Sequence, residues 1–177
     1  PIISTPFTVS VLNKLAEDAD TKIPNEIKTV HPNSSYKIRG KSGNYEIEFI
    51  NVTHSTPQTS MIALHTPEGV FLYANDFKLD NNPILGQPPN YKALKRIGKK
   101  GVKAAVIDSL YSDADKKTHS EKIARAYLEE VLTTVSNKKS AIFVATFSSH
   151  IARVKSIVEY AKKLDRKVFF LGRSLKK

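Results

Sequence analysis

The stretch Tyr45-Glu-Ile-Glu-Phe-Ile-Asn-Val-Thr-His54 decides how the first half of this chain folds. It is an apolar, β-rich run that ends in a histidine, and Gly69-Val-Phe-Leu-Tyr-Ala-Asn-Asp76 repeats this arrangement with an aspartate at its end. Strands that end in polar side chains place them at a sheet edge, where loops converge into sites. Imidazole and carboxylate together suit a transition metal such as zinc. His54 and Asp76 are therefore candidate metal ligands; a hydrogen-bonded histidine and a capping aspartate are the alternatives.

Four closely spaced, strand-like segments in the first half predict an antiparallel sheet built from two hairpins. Residues 34–39 and 44–52 are joined by Gly40-Lys-Ser-Gly43, and residues 60–65 and 69–74 are joined by Thr66-Pro-Glu-Gly69. Glycine-containing turns of this length favour hairpins. Apolar residues at helical spacing predict one helix over residues 7–19 and another over residues 91–97.

The second half changes to alternating strands and helices. Buried strands are predicted over residues 102–107, 141–145 and 167–171, and amphipathic helices over residues 120–135 and 149–164. This alternation predicts βαβ units and a parallel sheet. The chain is therefore predicted to be of the α/β class, with antiparallel hairpins and helices in residues 1–100 followed by the start of a parallel βαβ domain in residues 101–177.

Charge is distributed unevenly along the chain. The formal net charge is +11, but residues 1–77 carry 6 Lys and Arg against 8 Asp and Glu, whereas residues 78–177 carry 22 against 9. A basic half predicts a polyanionic partner such as nucleic acid; lysines that only solvate helix surfaces are the alternative. No apolar run approaches the about 20 residues of a membrane span. The absence of cysteine excludes disulfides and thiolate sites and is compatible with a cytoplasmic protein.

Polar motifs also follow the predicted strands of the second half. Asp108 ends the first of them, and the carboxyl ends of parallel strands are where α/β sites lie. Thr146-Phe-Ser-Ser-His150 opens a predicted helix, whose N–H groups favour a phosphate, and Leu171-Gly-Arg-Ser174 repeats the arrangement. The alternatives are a turn or cap role for Asp108 and a plain serine N-cap. The candidate phosphate contacts are Ser148, Ser149, His150, Arg173 and Ser174.

In order along the chain, these motifs resemble a metallo-β-lactamase-fold nuclease. The matching stretches are Thr53-His-Ser-Thr-Pro57, Tyr73-Ala-Asn-Asp-Phe-Lys-Leu-Asp80, Val106-Ile-Asp-Ser109, Phe147-Ser-Ser-His-Ile-Ala-Arg153 and Leu171-Gly-Arg-Ser174. The last two narrow the resemblance to the β-CASP branch, and within it to ribonuclease J of the archaeal type. The family's H-x-H-x-D-H signature, which supplies most of its metal ligands, is absent. The chain is therefore interpreted as an internal fragment, with a partial metallo-β-lactamase-like domain in residues 1–100 and a partial β-CASP domain in residues 101–177.

The resemblance implies a function for the whole enzyme. It would be a cytoplasmic, zinc-dependent ribonuclease that degrades single-stranded RNA from the 5′ end, with no membrane partner; a homodimer is left open. His54 would ligate one of two zinc ions, Asp76 would bridge both, and Asp108 would be a further catalytic residue in the cleft.

Two alternatives to this function stay open. A β-CASP endonuclease of RNA 3′-end processing shares these motifs. A non-enzymatic basic α/β module that binds nucleic acid fits the charge but leaves His54 and Asp76 unexplained. Because a productive zinc site generally needs at least three protein ligands, the 177-residue chain alone is predicted to bind zinc weakly or not at all and to have no ribonuclease activity.

Overall fold

A five-stranded sheet is the largest element of the computed structural model, which describes residues 1–134 and 140–175 apart from the side chain of Arg173. The strands are β1 (Ile2–Ser4), β2 (Ile27–Thr29), β3 (Ser35–Gly40), β4 (Gly43–Asn51), β5 (Ser60–Thr66), β6 (Gly69–Ala74) and β7 (Val102–Ile107). The helices are α1 (Pro6–Asp18), α2 (Tyr91–Lys100), α3 (Glu121–Thr134) and α4 (Ile151–Lys163), and a short 3₁₀ turn spans Arg173–Leu175.

The two predicted hairpins are confirmed. β3 pairs antiparallel with β4, β4 with β5, and β5 with β6. Gly43 (φ 140°) and Gly69 (φ 137°) each begin the second strand of a hairpin in a backbone conformation that favours glycine. A Cβ atom at position 69 would also come within 2.6 Å of the Lys103 side chain. The turn glycines therefore set the register of each hairpin and, at Gly69, leave room for the neighbouring strand.

The hydrophobic core lies between this sheet and α2. Ala93 and Ile97 are four residues apart, so they lie on one face of the helix and meet the apolar side chains of β4, β5 and β6. Each fully buried aliphatic side chain contributes about 1.5–3 kcal/mol of stability. The cluster comprises Ile50, Val52, Met61, Ala63, Val70, Ala74, Ala93 and Ile97. This packing fixes the ends of β4 and β6, which His54 and Asp76 follow.

β7 joins the same sheet, beside β6 and parallel to it. Because α2 lies between β6 and β7 in the chain, the three elements form a parallel βαβ unit. The predicted α/β class, with antiparallel hairpins and helices followed by a parallel βαβ arrangement, is therefore confirmed. The division of the chain after residue 100 stays a prediction, and β7 lies in the first sheet.

The other two strands predicted for the second half are not formed in the described residues. The expectation that residues 102–107, 141–145 and 167–171 pair in parallel is wrong, since only the first segment is a strand and its partner is β6. The aromatic side chains of the other segments are exposed, Phe143 by 85% and Phe169 by 80%. An apolar run predicts a strand, but a strand also needs a neighbour that completes its hydrogen-bond ladder.

The predicted helices are confirmed as α1, α2, α3 and α4, each within a few residues of its expected bounds; residue 135 lies outside the described part. No helix in residues 1–134 or 140–175 is both long and apolar enough to cross a membrane. A parallel pair formed by β1 and β2, with Ile2 opposite Ile27, was not predicted. Strands of three residues are too short for an alternating pattern to identify them.

Candidate functional site

A cleft of about 370 Å³ opens at the ends of β4 and β6. Its walls come from the start of α1, the segment after β4, the residues after β6 and the segment before α4. Three of the candidate residues line it: His54, Asp76 and Ser149. The structure therefore brings together side chains that are separated by up to 95 positions in the sequence.

His54 and Asp76 reach the cleft because the segments after β4 and β6 run antiparallel beside each other. Thr53 and Lys78 form an isolated antiparallel bridge, in which the Lys78 N–H donates to the Thr53 carbonyl over 2.6 Å. His54 directly follows Thr53, and Asp76 lies two residues before Lys78. Both candidate ligands are exposed to the cleft. The bridge joins the backbone beside each ligand and thus fixes the positions of His54 and Asp76 relative to each other.

The Thr53 hydroxyl strengthens this arrangement. It donates to the Lys78 carbonyl and accepts a hydrogen bond from the Asp80 N–H over 2.9 Å. Thr53 is only 7% exposed, so its hydroxyl would be costly to leave without partners. Thr53, the residue next to His54, therefore fixes the backbone at Lys78 and at Asp80, two and four residues after Asp76.

A network of hydrogen bonds and one ion pair, which we call the polar link, continues from Thr53. It consists of Thr53, Asp80 and Glu121, which are buried, and Arg153, which is half-buried. Asp80 accepts a hydrogen bond from the Glu121 N–H over 2.8 Å. The Glu121 carboxylate accepts from Arg153 Nε over 2.6 Å and from Arg153 Nη2 over 3.0 Å. Burial raises the pKa of Asp80, but hydrogen bonds from Ser120 and from backbone N–H groups outweigh burial and lower the pKa below its ordinary value.

Sequence reasoning did not assign a role to the polar link. Asp80 and Arg153 each end a stretch that carries the family resemblance, which was their one signal in the sequence. Glu121 fits the first turn of a predicted helix, and Arg153 fits the amphipathic pattern of the next one. Neither pattern requires a partner that is distant in the sequence. Because Asp80 and Arg153 approach Glu121 across 41 and 32 positions, spacing along the chain gives no sign of the contact.

His150 begins α4 as its N-cap. Its Nδ1 accepts a hydrogen bond from the Arg153 N–H over 3.4 Å, and its Nε2 lies 3.6 Å from the Glu121 carboxylate. Burial lowers the pKa of His150, while the Glu121 carboxylate acts in the opposite direction. The cap of this helix is thus a histidine rather than Ser148 or Ser149, which leaves the Ser149 side chain at the cleft.

Asp108 lies close to the cleft in the fold without lining it. It follows β7, and its N–H donates to the carbonyl of Ala74 over 2.9 Å, so it sits beside the strand end from which Asp76 follows. Its carboxylate is exposed and accepts a hydrogen bond from the Leu110 N–H over 3.2 Å. The turn that was the alternative role for Asp108 is therefore present. Its carboxylate is still exposed to solvent beside the end of β6.

Two further candidates, Ser148 and Ser174, lie outside this cleft. Ser148 is half-buried, and Ser174 is exposed in the 3₁₀ turn Arg173–Leu175. The side chain of Arg173 lies outside the described part of the structure. Of the five predicted phosphate contacts, Ser149 alone is placed at the cleft within the described residues.

Comparison with known proteins gives the family of the chain. Residues 139–177 match the family model described as ribonuclease J, beta-CASP domain. Over 176 residues, or 99% of the chain, it is 38% identical to ribonuclease J of Methanocaldococcus jannaschii, and over its whole length it is 36% identical to ribonuclease J of Pyrococcus abyssi. The chain belongs to the ribonuclease J family. It spans 39% of the length of each of these two relatives.

A solved structure supports the fold of this ribonuclease J chain. A protein of unknown function from Enterococcus faecalis V583 superimposes with a TM-score of 0.63 at 18% sequence identity, over 90% of this chain and 39% of that one. A likeness at this identity concerns the fold alone.

The donors of this ribonuclease J chain fit part of a zinc site. Ser55 Oγ lies 3.2 Å from His54 Nδ1, so Nε2 is the ring nitrogen that remains for a cation. Within residues 1–134 and 140–175, the Asp76 carboxylate has no hydrogen bond or ion pair to another side chain. The same residues contain no group of three or more His, Cys, Asp or Glu that could hold a metal ion. Imidazole and carboxylate are zinc ligands, and together they are two of the usual four.

Proposed function

We propose that this chain supplies the His54 and Asp76 ligands of a zinc-dependent ribonuclease that hydrolyses RNA. The observation that carries the proposal is that these two side chains follow different strands and line one cleft with Ser149. The named activity of the ribonuclease J relatives supports RNA as the substrate of the whole protein. The remaining zinc ligands would come from outside these 177 residues, and a cytoplasmic location is part of the proposal.

One group of cleft residues would bind the zinc ions, and another would orient the RNA. With Nδ1–H donating to Ser55, His54 would present the lone pair of Nε2 to the cation. Asp76 has two carboxylate oxygens and would hold two cations side by side. Zinc, when bound, lowers the pKa of water and offsets the negative charge of a phosphodiester. Asp108 would add a carboxylate beside the same strand ends.

The opposite wall of the cleft would orient the RNA. Ser149 precedes α4 by two residues and lines the cleft. Its hydroxyl would donate to a phosphate oxygen near the positive end of the helix dipole. Ser148, Arg173 and Ser174 are proposed to contact the phosphate backbone farther along. His150 would act through its cap of α4, which shapes the turn that presents Ser149. Cleavage from the 5′ end is part of the proposal.

A chimera tests the proposal. This chain would replace the aligned 176 residues of the Methanocaldococcus jannaschii ribonuclease J, with which it shares 38% identity. Zinc-dependent digestion of 5′-monophosphorylated RNA is expected, with a loss of more than about 100-fold in the variants His54→Ala and Asp76→Ala. His119→Ala, an exposed histidine away from the cleft, is the matched control and is expected to retain full activity.

The substrate distinguishes the alternatives. Circular RNA has no 5′ end, so an exonuclease leaves it intact while an endonuclease of the 3′-end-processing type opens it. Activity that survives both cleft substitutions, or a chimera that binds RNA without cleaving it, would contradict the proposal and favour a non-enzymatic nucleic-acid-binding module. The isolated 177-residue chain is expected to be inactive and to bind zinc weakly in a calorimetric titration.

A further inference from the structure

The polar link connects two walls of the cleft. On one side, Thr53 is covalently joined to His54, and Asp80 lies four residues after Asp76. On the other side, Arg153 lies in the first turn of α4, four residues after Ser149. Glu121 is the residue between them, since its N–H donates to Asp80 and its carboxylate accepts from Arg153. Changes at Glu121 would therefore act on one wall relative to the other.

The burial and the hydrogen bonds of the polar link indicate more than a packing role. The Glu121 side chain is 7% exposed and that of Asp80 is 3% exposed, and buried carboxylates are tolerated only when they are paired and hydrogen-bonded. Arg153 meets Glu121 with two nitrogens, which fixes direction as well as distance. A packing role alone would be met by apolar residues of similar volume.

The two sides of the link are anchored independently. The metal-ligand side is held by the Thr53 contacts to Lys78 and Asp80, which do not involve Glu121. The Ser149 side is the start of α4, which Glu121 holds through Arg153 and approaches through His150. Loss of the Glu121 charge would therefore free the start of α4, which carries Ser149. It would leave His54 and Asp76 in place.

We propose that Glu121 is a positioning residue that sets the separation of the Ser149 wall from the His54 and Asp76 wall, and thereby controls how tightly the RNA phosphate is held. The functional part rests on the proposed ribonuclease activity. Glu121 touches neither the metal ligands nor the cleft, and it acts through Asp80 and Arg153. Its loss is expected to weaken substrate binding more than the chemical step.

A distance measurement tests the positional part without metal or RNA. The chain has no cysteine, so spin labels at Tyr73→Cys on β6 and Lys155→Cys on α4 report one distance between the two walls. Both positions are solvent-exposed, at 50% and 43%. Glu121→Gln is expected to broaden and shift the distance distribution. Glu130→Gln removes an exposed carboxylate of α3, nine residues after Glu121, and is expected to leave the distribution unchanged.

The kinetic part uses the active chimera. Glu121→Gln is expected to raise KM for 5′-monophosphorylated RNA about 10-fold or more while kcat stays within about threefold. Arg153→Lys keeps the charge but loses the two-nitrogen contact, so it should shift the distance and KM in the same direction by a smaller amount. It carries the same test if Glu121→Gln does not fold.

The outcomes separate this inference from the proposed function. An unchanged distance distribution in a folded Glu121→Gln or Arg153→Lys variant overturns the positioning role, whatever the activity of the chain. A fall in kcat with unchanged KM also overturns it. Full activity in the His54→Ala and Asp76→Ala variants would instead overturn the ribonuclease proposal and leave the distance result standing.

Discussion

At the scale of single residues, His150 links the stability of α4 to pH. Glu121, Arg153 and Lys78 are the charged groups that act on its ring, and burial is the main reason that its folded-state pKa lies below its ordinary value of 6.5. Unfolding therefore takes up a proton between these two pKa values. The stabilisation is fully present above pH 6.5 and is lost as the pH falls through the folded-state pKa.

Urea unfolding at about pH 7.5 and about pH 5.5 measures this effect, and the free energy of unfolding is expected to be lower at the acidic pH. His150→Asn keeps a good N-cap for α4 but removes the titration, so its difference between the two pH values should be smaller than that of the unsubstituted chain. His119→Asn changes an exposed histidine and should keep the full difference. An equal pH dependence in all three chains would contradict the assignment.

At the scale of elements, the start of α2 depends on one asparagine. Asn90 Oδ1 accepts a hydrogen bond from the Ala93 N–H over 3.0 Å, and Asn90 Nδ2 donates to Asn33 Oδ1 over 2.8 Å. Asn90→Ala removes the cap and the link to the segment before β3, so it should lower the free energy of unfolding by about 0.5–2 kcal/mol. Asn13→Ala, at an exposed position inside α1, should be neutral or slightly stabilising. The midpoints of urea unfolding compare the two, and equal midpoints would refute the capping role.

The elements also show how far sequence reasoning reaches in this fold. The hairpins of the first half were predictable because alternation and turn glycines such as Gly43 and Gly69 act locally. Segments 141–145 and 167–171 have the same apolar character, yet they are not strands in the described residues. Their pairing depends on a neighbouring strand, which a local pattern cannot supply. The cleft follows the same rule: His54 and Asp76 were identifiable as strand-end residues, whereas Glu121 required the three-dimensional contact to Asp80.

At the scale of the whole molecule, the charge difference between the two parts of the chain predicts how RNA would bind. Residues 78–177 carry 22 Lys and Arg against 9 Asp and Glu. Binding of single-stranded RNA to the chain is expected to weaken more than about tenfold between about 50 and 200 mM salt, because each phosphate contact releases counterions. Fluorescence anisotropy at several salt concentrations measures the slope.

Two triple variants with the same change in net charge show whether the position of the charge matters. The first replaces exposed lysines of α2 by glutamine: Lys92, Lys95 and Lys99. The second replaces exposed lysines of the acidic part: Lys22, Lys37 and Lys41. The first is expected to lower the affinity for RNA and flatten the salt slope, and the second to have the smaller effect. Equal effects would mean that net charge alone attracts RNA.

The exposed outer edge of β7 has a consequence for how the chain behaves at high concentration. Within residues 1–134 and 140–175, β7 is the last strand of the five-stranded sheet and pairs on one side only. Val106 and Ile107 are 62% and 53% exposed. Its unpaired backbone groups are a template for a strand from another molecule, and the single charge of the strand, at Lys103, offers little repulsion. Copies of the isolated chain would therefore associate edge to edge and precipitate on concentration, despite a net charge of +11.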